Sequence, residues 1–264
     1  MERRKSPVLT AIHEDGVIER PPGLPSTTMA KRKANGLNTA EATTEGSSPA
    51  TKDSDELITS LNALSASAFQ EKYIKPSHLA PPSPQLSITF KSSASLTKGE
   101  LNQCFDLISL TSRSHYEPSS FGWHSRRKLR EMREEEMRYL LVRSTTLADR
   151  DGDSAVEGEV KGFLSFMLTH DSSPAVPVVY VYEIHLLPEL RQCGLGGHLM
   201  QVAEDVARAT GVEKVMLTCF VANETVRRWY EGRGYGVDVV SPEDRMTRRK
   251  VVKADYVIMS KAVK

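Results

Sequence analysis

A single carboxylate interrupts an apolar stretch beyond the middle of the chain. Glu183 stands within residues 178–187, whose aliphatic and aromatic composition is typical of a buried strand. A buried carboxylate without a cationic partner has a raised pKa and accepts a proton near neutral pH. Glu183 is therefore a candidate general base. The alternatives are a glutamate that faces the edge of the sheet, or one that a nearby arginine neutralises.

A glycine-rich turn follows this strand and precedes an amphipathic segment. The turn reads Arg-Gln-Cys-Gly-Leu-Gly-Gly over residues 191–197, and residues 195–208 have helical periodicity. Such a turn leaves backbone N–H groups unpaired at the positive end of the helix, where they form an anion site. A side chain at Gly194 or Gly196 would hold a diphosphate away from those groups. The alternative is a turn that only joins two elements.

The elements that must hold these residues follow from periodicity and from capping and turn residues. Helices are expected over residues 54–73, from 97 to about 114, and over 126–138, 195–208 and 224–233. Strands are expected over residues 86–90, 139–143, 162–168, 178–187, 215–220, 237–240 and 256–260. This order predicts an α/β domain with a mixed sheet. The charge run within 126–138 is interpreted as a solvated helix face.

Composition bounds the class of protein. The chain has 264 residues and a net charge of +1, so charge alone does not make it a binder of nucleic acid. No segment approaches the roughly 18 apolar residues of a membrane span, and we expect no signal peptide. The 3 cysteines are scattered, which argues against a disulfide framework and a zinc site and fits a reducing compartment.

The first 52 residues have few aliphatic and no aromatic side chains, and we expect them to form a disordered extension. The folded domain is expected over residues 53–264, with its catalytic core at about 86–262. Within the extension, residues 31–33 read Lys-Arg-Lys. We interpret them as a solvated charge run, with a weak import or nucleic-acid patch as the alternative.

The acidic stretch over residues 148–160 superficially resembles a calcium loop. Ser154 stands where such a loop needs a glycine for its tight turn, and Val160 stands where it needs the closing glutamate. We therefore expect no metal site.

Two motifs together resemble the GNAT acetyltransferases. Arg191-x-x-Gly194-x-Gly196 is similar to their acetyl-CoA pyrophosphate loop, and residues 223–235, which read Asn-Glu through Trp-Tyr-Glu-x-x-Gly-Tyr, are similar to their last motif. The resemblance implies the GNAT fold, a mixed central sheet flanked by helices, with acetyl-CoA as co-substrate. The residues it implies for acetyl-CoA are Leu186, Arg191, Gln192, Gly194, Leu195, Gly196, Gly197, Asn223 and Tyr230. Asn223 would bind the pantetheine arm, or cap a helix.

A narrower resemblance covers residues 53–260. The sequences Tyr116-Glu117, Phe121-Gly122-Trp123, Tyr180-x-Tyr182-Glu183, Val215-Met216-Leu217-Thr218, Ser241-Pro242 and the segment around Tyr256 look like those of NatD-type N-α-acetyltransferases. These enzymes acetylate the α-amine of the N-terminal serine in Ser-Gly-Arg-Gly-Lys tails of histone H4 and of the A-form of histone H2. The resemblance implies the same reaction here.

The resemblance also implies roles for individual residues. Glu183 would be the base, and Tyr230 the acid for the leaving thiolate, unless Tyr230 only packs; Ser241 and Tyr256 are the alternative donors. The residues implied for the tail are Tyr116, Phe121, Asp171, Tyr180, Tyr182, Glu183, Thr218 and Tyr256. Asp171 lies twelve residues before Glu183, as in the family, although a turn residue is the alternative reading. Phe121 replaces the tryptophan usual in the family.

The implied partners are histone H4 and related histone tails, with no direct nucleic acid and no membrane. A monomer in nucleus and cytoplasm is expected. Two other functions stay open at this point. One is a GNAT acyltransferase for lysine side chains or a small amine, and the other is a catalytically silent protein that binds CoA.

Overall fold

The computed structural model describes residues 49–145, 158–171, 176–246, 248 and 250–263. The predicted extension up to residue 48 lies outside this part of the chain, and so do the Lys-Arg-Lys sequence at 31–33 and most of the acidic stretch over 148–160. Within the described ranges, no helix is long and apolar enough to cross a membrane.

A seven-stranded mixed sheet forms the centre of the fold. Its strands are β1 (Leu86–Ser92), β2 (Arg138–Ser144), β3 (Val160–His170), β4 (Pro177–Leu186), β5 (Lys214–Phe220), β6 (Gly236–Val237) and β9 (Tyr256–Ala262). Their order across the sheet is β1-β2-β3-β4-β5-β9-β6. Neighbouring strands are antiparallel except for the parallel pair β4 and β5. The predicted mixed α/β sheet is confirmed. A short hairpin that was not predicted, β7 (Arg245–Met246) with β8 (Val251–Val252), stands apart.

Helices cover both faces of the sheet. They are α1 (Pro49–Asn62), α2 (Ala66–Tyr73), α3 (Lys98–Tyr116), α4 (Ser125–Glu131), α5 (Leu195–Thr210) and α6 (Glu224–Glu231). The larger apolar core joins α1, α2, α5 and α6 to one face, and a second core joins α3 and α4 to the other. The catalytic chemistry expected of this chain would lie on the α3 side, because that is the side to which Glu183 turns.

Two predicted helices have bounds that differ from the structure by more than two residues. The helix expected over 54–73 is broken in two because Ser65 caps a new helix, its side chain accepting a hydrogen bond from the Ala68 N–H at 3.2 Å. The helix expected over 126–138 ends at Glu131, and Arg138 already begins β2. The apolar residues that follow it are all buried, so the sheet takes that segment.

A bulge in β4 changes which side chains share a face. Ser165 of β3 pairs with Glu183, but its neighbour Phe166 pairs with Val181, so Tyr182 is the extra residue. Val181 faces the core under α5, whereas Tyr182 and Glu183 both contact residues of the α3 side. The bulge therefore adds a tyrosine to the face that carries the candidate base.

The two parallel strands separate next to this bulge. Backbone pairing of β4 with β5 runs from Val178 opposite Lys214 to Val181 opposite Leu217 and then stops. Residues 182–186 consequently have one strand edge that no longer pairs with β5. A cleft opens between the two strands, and most of the candidate catalytic and binding residues lie around it.

Candidate active site

An open cavity of about 720 Å³ occupies the gap between the separated strands. It extends from the start of α5 to the aromatic side chains near the end of α3. Its polar and aromatic lining includes Tyr116, Phe121, Trp123, Lys128, Glu131, Tyr180, Tyr182, Glu183, His185, Arg191, Gln192, Thr218, Asn223, Trp229 and Tyr230, with Gly194, Gly196 and Gly197. Most of the predicted site residues thus share one space.

The glycine-rich turn forms an uncapped helix start at one end of this cavity. Gly194 occupies the N-cap position of α5 with φ of 82°, a left-handed conformation that favours glycine, and no side chain caps the helix there. A Cβ at Gly196 would lie 3.6 Å from the Trp229 ring, an ordinary contact. A Cβ would therefore fit at position 196. What glycine adds there is access, because a ligand can approach the backbone N–H groups when no side chain covers them. The first N–H groups of α5 are free to hold an anion.

The side chains around the glycine turn differ in how accessible they are to a ligand in the cavity. The Arg191 guanidinium is exposed at the cavity, and its Nε donates to the Leu186 carbonyl at 3.2 Å. Leu195 is fully buried in the core, so only its backbone can contribute to a ligand site. Asn223 stands at the N-cap position of α6, yet its side chain makes no capping hydrogen bond. Its amide is available to a ligand in the cavity.

Glu183 is buried and carries three hydrogen bonds. Its Oε1 accepts from Lys128 Nζ at 2.8 Å and from the Tyr116 hydroxyl at 3.1 Å, and its Oε2 lies 2.6 Å from His185 Nε2. Burial alone would raise the pKa of Glu183, but the Lys128 charge and the His185 hydrogen bond outweigh it and lower that pKa to about 2. The expected raised pKa is therefore wrong, because the carboxylate has the cationic partner that the sequence did not reveal.

That partner is a lysine from the segment interpreted as a solvated charge run. Lys128 is buried, and its ammonium donates to Glu183, to Glu131 at 2.6 Å and to the Tyr116 hydroxyl at 2.9 Å. Burial opposes its charge, yet the Glu183 carboxylate and its other neighbours raise the pKa of Lys128 well above the ordinary value. All three donors of the ammonium are satisfied. The interpretation of the charge run in this helix as a solvated face is wrong at Lys128.

His185 is a second site residue that was not singled out from the sequence. Besides contacting Glu183, its Nδ1 lies 2.6 Å from Thr111 Oγ1, and that hydroxyl is 2.7 Å from the Leu107 carbonyl oxygen. Its spacing of two from Glu183 in a strand was an available signal, since residues i and i+2 share a face. For Lys128 no spacing rule could have served, because the contact joins different elements.

Aromatic rings form the wall opposite the glycine turn. Tyr116 meets Phe220 at a centroid distance of 4.9 Å and Phe121 at 6.3 Å. Tyr256 packs behind Phe121, with the ring centroids 4.8 Å apart, and does not line the cavity. Its predicted contact with the tail is thus replaced by support of the Phe121 ring.

Hydroxyl groups lie on the strands beside this wall. The Tyr180 hydroxyl is 2.5 Å from Thr218 Oγ1, and the Tyr182 ring packs 5.3 Å from the Tyr180 ring. Burial raises the pKa of Tyr180, so its hydroxyl remains neutral. The two hydroxyls and the two rings give this part of the cavity both polar and apolar surface.

Of the side chains predicted to protonate the thiolate, Tyr230 lines the cavity and Ser241 does not. Tyr230 lines the cavity and is mostly buried, and its ring packs against Trp229 at 5.0 Å and Tyr235 at 5.7 Å. Burial raises the pKa of Tyr230, so it keeps its proton at neutral pH. Ser241 lies outside the cavity, where its Oγ accepts the Ile258 N–H at 3.0 Å. Its hydroxyl fixes β9 instead of facing a thiolate.

Asp171 does not join the cavity. It follows the end of β3, six residues beyond Ser165, the partner of Glu183, which corresponds to about 20 Å along a strand. Its carboxylate is 2.7 Å from Lys214 Nζ, which also binds Asp238 at 2.8 Å. The twelve-residue spacing places Asp171 at the far end of the hairpin, so the turn reading agrees with the structure and the tail contact does not.

Within the described residues, no group of three histidine, cysteine, aspartate or glutamate side chains could hold a metal ion. The residues around the glycine turn do fit a phosphorylated co-substrate. The evidence is the uncapped start of α5, the open space around Gly194, where an added Cβ would meet nothing within 4 Å, and the unengaged amide of Asn223.

Several known proteins are similar to this chain. N-alpha-acetyltransferase 40 of Saccharomyces cerevisiae is 35% identical over 94 residues, covering 30% of this chain and 33% of that protein. The chain thus spans about a third of the length of this curated relative.

Two solved structures also match at low identity. The NatC complex bound to Gag peptide and CoA matches at 16% identity, with a TM-score of 0.43, over 67% of this chain and 99% of the other. Arabidopsis thaliana NAA60 in complex with a bisubstrate analogue matches at 14% identity, with a TM-score of 0.44, over 67% and 99%.

The match that identifies the domain is the one to a family. Residues 106–235 match the sequence profile of the acetyltransferase (GNAT) family, and they include the glycine turn, Glu183 and the helix that starts after Asn223. The predicted GNAT fold is confirmed. Over residues 106–235, which are 130 of the 264 residues, the chain is thus similar to the GNAT acetyltransferases, enzymes that use acetyl-CoA.

Proposed function

We propose that this chain is an N-terminal α-amino acetyltransferase that transfers acetyl from acetyl-CoA to the N-terminal serine of histone H4-type tails. The single observation that carries the proposal is the continuity of the cavity. One space joins the uncapped start of α5 to Glu183 and to the aromatic wall around Tyr116. A pyrophosphate site and an amine site in one cavity suit transfer between a CoA thioester and an amine.

The residues for acetyl-CoA are those of the turn and of the start of α6. The first N–H groups of α5 would hold the pyrophosphate, with Arg191 beside it, and the Asn223 amide would bind the pantetheine arm. Acetyl-CoA supplies the acetyl group as a thioester. Along residues 182–186, the β4 edge that no longer pairs with β5 offers backbone N–H groups to the oxygen that gains charge.

The electrostatics of Glu183 favour an α-amine over a lysine side chain. A carboxylate with a pKa of about 2 is ionised at any physiological pH but is a weak base. It can anchor an ammonium and remove a proton from an amine of low pKa. An α-amine with a pKa of about 7.7–8.0 is close to neutral already, whereas a lysine amine at about 10.4 is not. Tyr230, which keeps its proton, would stand near the leaving thiolate.

The serine specificity would come from hydroxyls and rings on the cavity wall. Tyr116, Tyr182 and Phe121 limit the space for the first side chain, and the Thr218–Tyr180 pair offers partners to a serine hydroxyl. A site that hydrogen-bonds a substrate hydroxyl rejects analogues that lack it more strongly than size alone would. Phe121 provides no indole N–H, so its contribution is apolar. The yeast relative, an N-alpha-acetyltransferase by name, supports the choice of an α-amine.

The partners and location belong to the same proposal. The chain would bind histone tails as a monomer, in nucleus and cytoplasm, without direct contact to nucleic acid or to a membrane. Histone tails are rich in lysine and arginine, and the Glu183 and Glu131 carboxylates line the cavity on either side of the single Lys128 ammonium.

The test is acetyl transfer from labelled acetyl-CoA to a Ser-Gly-Arg-Gly-Lys peptide beside a copy with a blocked N-terminus. Transfer to the free peptide alone supports the proposal, and a copy that begins with alanine measures the contribution of the serine hydroxyl. Transfer to both peptides would assign the activity to lysine side chains. Binding of acetyl-CoA without transfer to any peptide or small amine would indicate a silent CoA-binding protein.

A further inference from the structure

His185 lies beside Glu183 on the cavity wall, with both ring nitrogens in short polar contacts. Nε2 is 2.6 Å from Glu183 Oε2, and Nδ1 is 2.6 Å from Thr111 Oγ1. The ring is 7% exposed and packs against Phe163 at a centroid distance of 5.6 Å. Two polar partners and one aromatic ring therefore fix its orientation.

The donors and acceptors around the ring can be counted. Thr111 Oγ1 is 2.7 Å from the Leu107 carbonyl oxygen, which can only accept, so the threonine proton is directed there. Nδ1 must then donate to Thr111. Glu183 is ionised and can only accept, so Nε2 must donate as well. Only the protonated ring satisfies both contacts, and loss of its proton leaves two acceptors facing each other.

The charged and titratable groups around this pair come from four elements, which are α3, α4, α6 and β2. Lys128 and Glu131 of α4 form an ion pair of opposite charges at 2.6 Å. Burial raises the pKa of Tyr116 on α3, of Tyr139 on β2 and of Tyr230 on α6, so the three hydroxyls stay neutral. Among side chains, imidazole is the one whose ordinary titration falls between pH 5 and 8. In this cluster of described residues, the imidazole is that of His185, and a change in its protonation alters both of its ring contacts.

We propose that His185 carries the proton of the Glu183–His185 pair during acetyl transfer, so that Glu183 exchanges the amine proton with the imidazole instead of titrating alone. The inference rests on the proposed function. His185 acts through Glu183 and is a positioning residue that also sets the proton content of the pair.

The proton balance is complete. The contacts in the structure are those of the protonated pair, so the pair first gives its proton to water. With the ring neutral, the pair then takes one proton from the substrate ammonium, and the ring becomes imidazolium. The nitrogen lone pair then forms the C–N bond while the C–S bond breaks and leaves its electron pair on sulfur. The second proton of the nitrogen passes to sulfur, directly or through Tyr230, and the pair ends protonated, as it began. The products are an amide, a thiol and one released proton.

The kinetic test compares the pH dependence of kcat/KM for the free peptide in three proteins: wild type, His185→Gln and the control His170→Gln. His170 lies at the far end of β3, where its Nε2 is 3.2 Å from the Ser54 carbonyl oxygen. Glutamine can donate to Glu183 but takes up no proton in this range. We expect H185Q to lose about 10²-fold in kcat and to lose the acid limb that wild type and H170Q share.

The substrate amine contributes the same titration to all three proteins, so only the difference between their profiles is read. An unchanged acid limb in H185Q would overturn the proposal, whatever the fall in kcat. A melt followed by circular dichroism checks that each variant is folded, and His185→Asn serves as the second variant if H185Q is not.

A second readout does not need activity. The ring nitrogens of His185 are followed by NMR against pH in the full chain and in Glu183→Gln, with the signal assigned by its absence in H185Q or H185N. We expect its titration to move to lower pH in E183Q, because loss of a carboxylate partner disfavours the imidazolium, while the His170 signal stays. An unmoved His185 signal would refute the coupling. If no peptide is acetylated, the proposed function fails and this measurement alone decides the proposal.

Discussion

Two buried carboxylates, Glu100 and Glu183, have similar surroundings and different positions in the fold. Glu100 is enclosed by Lys91 Nζ at 2.6 Å, by the Arg143 guanidinium and by the Thr97 N–H at 2.7 Å. Burial opposes its charge, but the Lys91 hydrogen bond and its other contacts lower the pKa of Glu100 below the ordinary value. Glu183 likewise has a lowered pKa and a lysine partner, yet it faces an open cavity.

The comparison teaches that a shifted pKa does not by itself mark a functional site. Glu100 ties the start of α3 to β1 and β2 through a capping box and two cations. Its partners are the two cations and the N–H and hydroxyl of Thr97, and none of them is an imidazole or a phenol. Glu183 instead has an imidazole and a phenol among its partners, and a ligand could reach it. Access and a titratable neighbour distinguish the chemical carboxylate from the structural one.

The largest expected effect is a loss of kcat on substitution of Glu183, which distinguishes it from Glu100. Glu183→Gln should reduce kcat by about 10²–10⁴-fold, because the pair loses the group that receives the amine proton. The measurement is steady-state transfer to the Ser-Gly-Arg-Gly-Lys peptide at saturating acetyl-CoA. If E183Q kept nearly the full kcat, Glu183 would have no part in the reaction, and the contrast with Glu100 would be wrong.

The same substitution at Glu100 should lower the stability of the fold and leave the activity unchanged. Glu100→Gln leaves Arg143, whose side chain is 5% exposed, without its buried carboxylate, at a cost of about 3 kcal/mol in the free energy of unfolding. Chemical denaturation gives this value, and kcat per folded molecule should stay near wild type. A variant that keeps its stability but loses activity would contradict the structural role of Glu100.

The open end of the cavity can be tested at the glycine turn. Gly196→Val should raise the KM for acetyl-CoA by about 10–100-fold, since a side chain would hold the diphosphate away from charge-assisted backbone hydrogen bonds. The control is Gly236→Ala, where an added Cβ meets nothing within 4 Å and lies outside the cavity. If G196V unfolds, the glycine is required for packing; an unchanged KM would argue against the pyrophosphate site.

The pH dependence of stability tests the charged state of Glu183 in the folded chain. The pKa of Glu183 falls from 4.5 to about 2 on folding, so between these values the unfolded chain binds more protons than the folded one. Stability from this group is therefore present above pH 4.5 and lost as the pH falls towards 2. Urea unfolding between these pH values should show a shallower slope in E183Q than in wild type. Equal slopes would mean that the folded carboxyl is not held in its charged form.

Local patterns predicted much of the fold. The capping box at Thr97 and Glu100, the alternation along β1 and the strand, turn and helix around Gly194 all depend on near neighbours in sequence, and the structure contains them. The observed bounds differ from the predicted ones where burial in the sheet overrides local periodicity. Arg138, for example, starts a strand because the sheet buries the residues after it. The β7–β8 hairpin was not predicted, since each of its strands has only two residues.

The site residues were predictable to the extent that they lie on motifs. The glycine turn, Glu183, Tyr230 and Asn223 line one cavity as expected. Asp171 does not, because a fixed spacing across a hairpin says nothing about where the hairpin turns. Ser241 does not, because its hydroxyl is held by the β9 backbone.

The sequence by itself determined that an acidic residue stands in a buried strand ahead of an anion-binding helix start, since both features are encoded within a few residues of chain. Only the tertiary structure decided the state of that acid. It brought Lys128 from α4 and Thr111 from α3 to the two sides of the Glu183–His185 pair, and a bulge at Tyr182 turned the strand towards them. A pKa depends on charges within a few ångströms in space, and those charges come from distant parts of the chain.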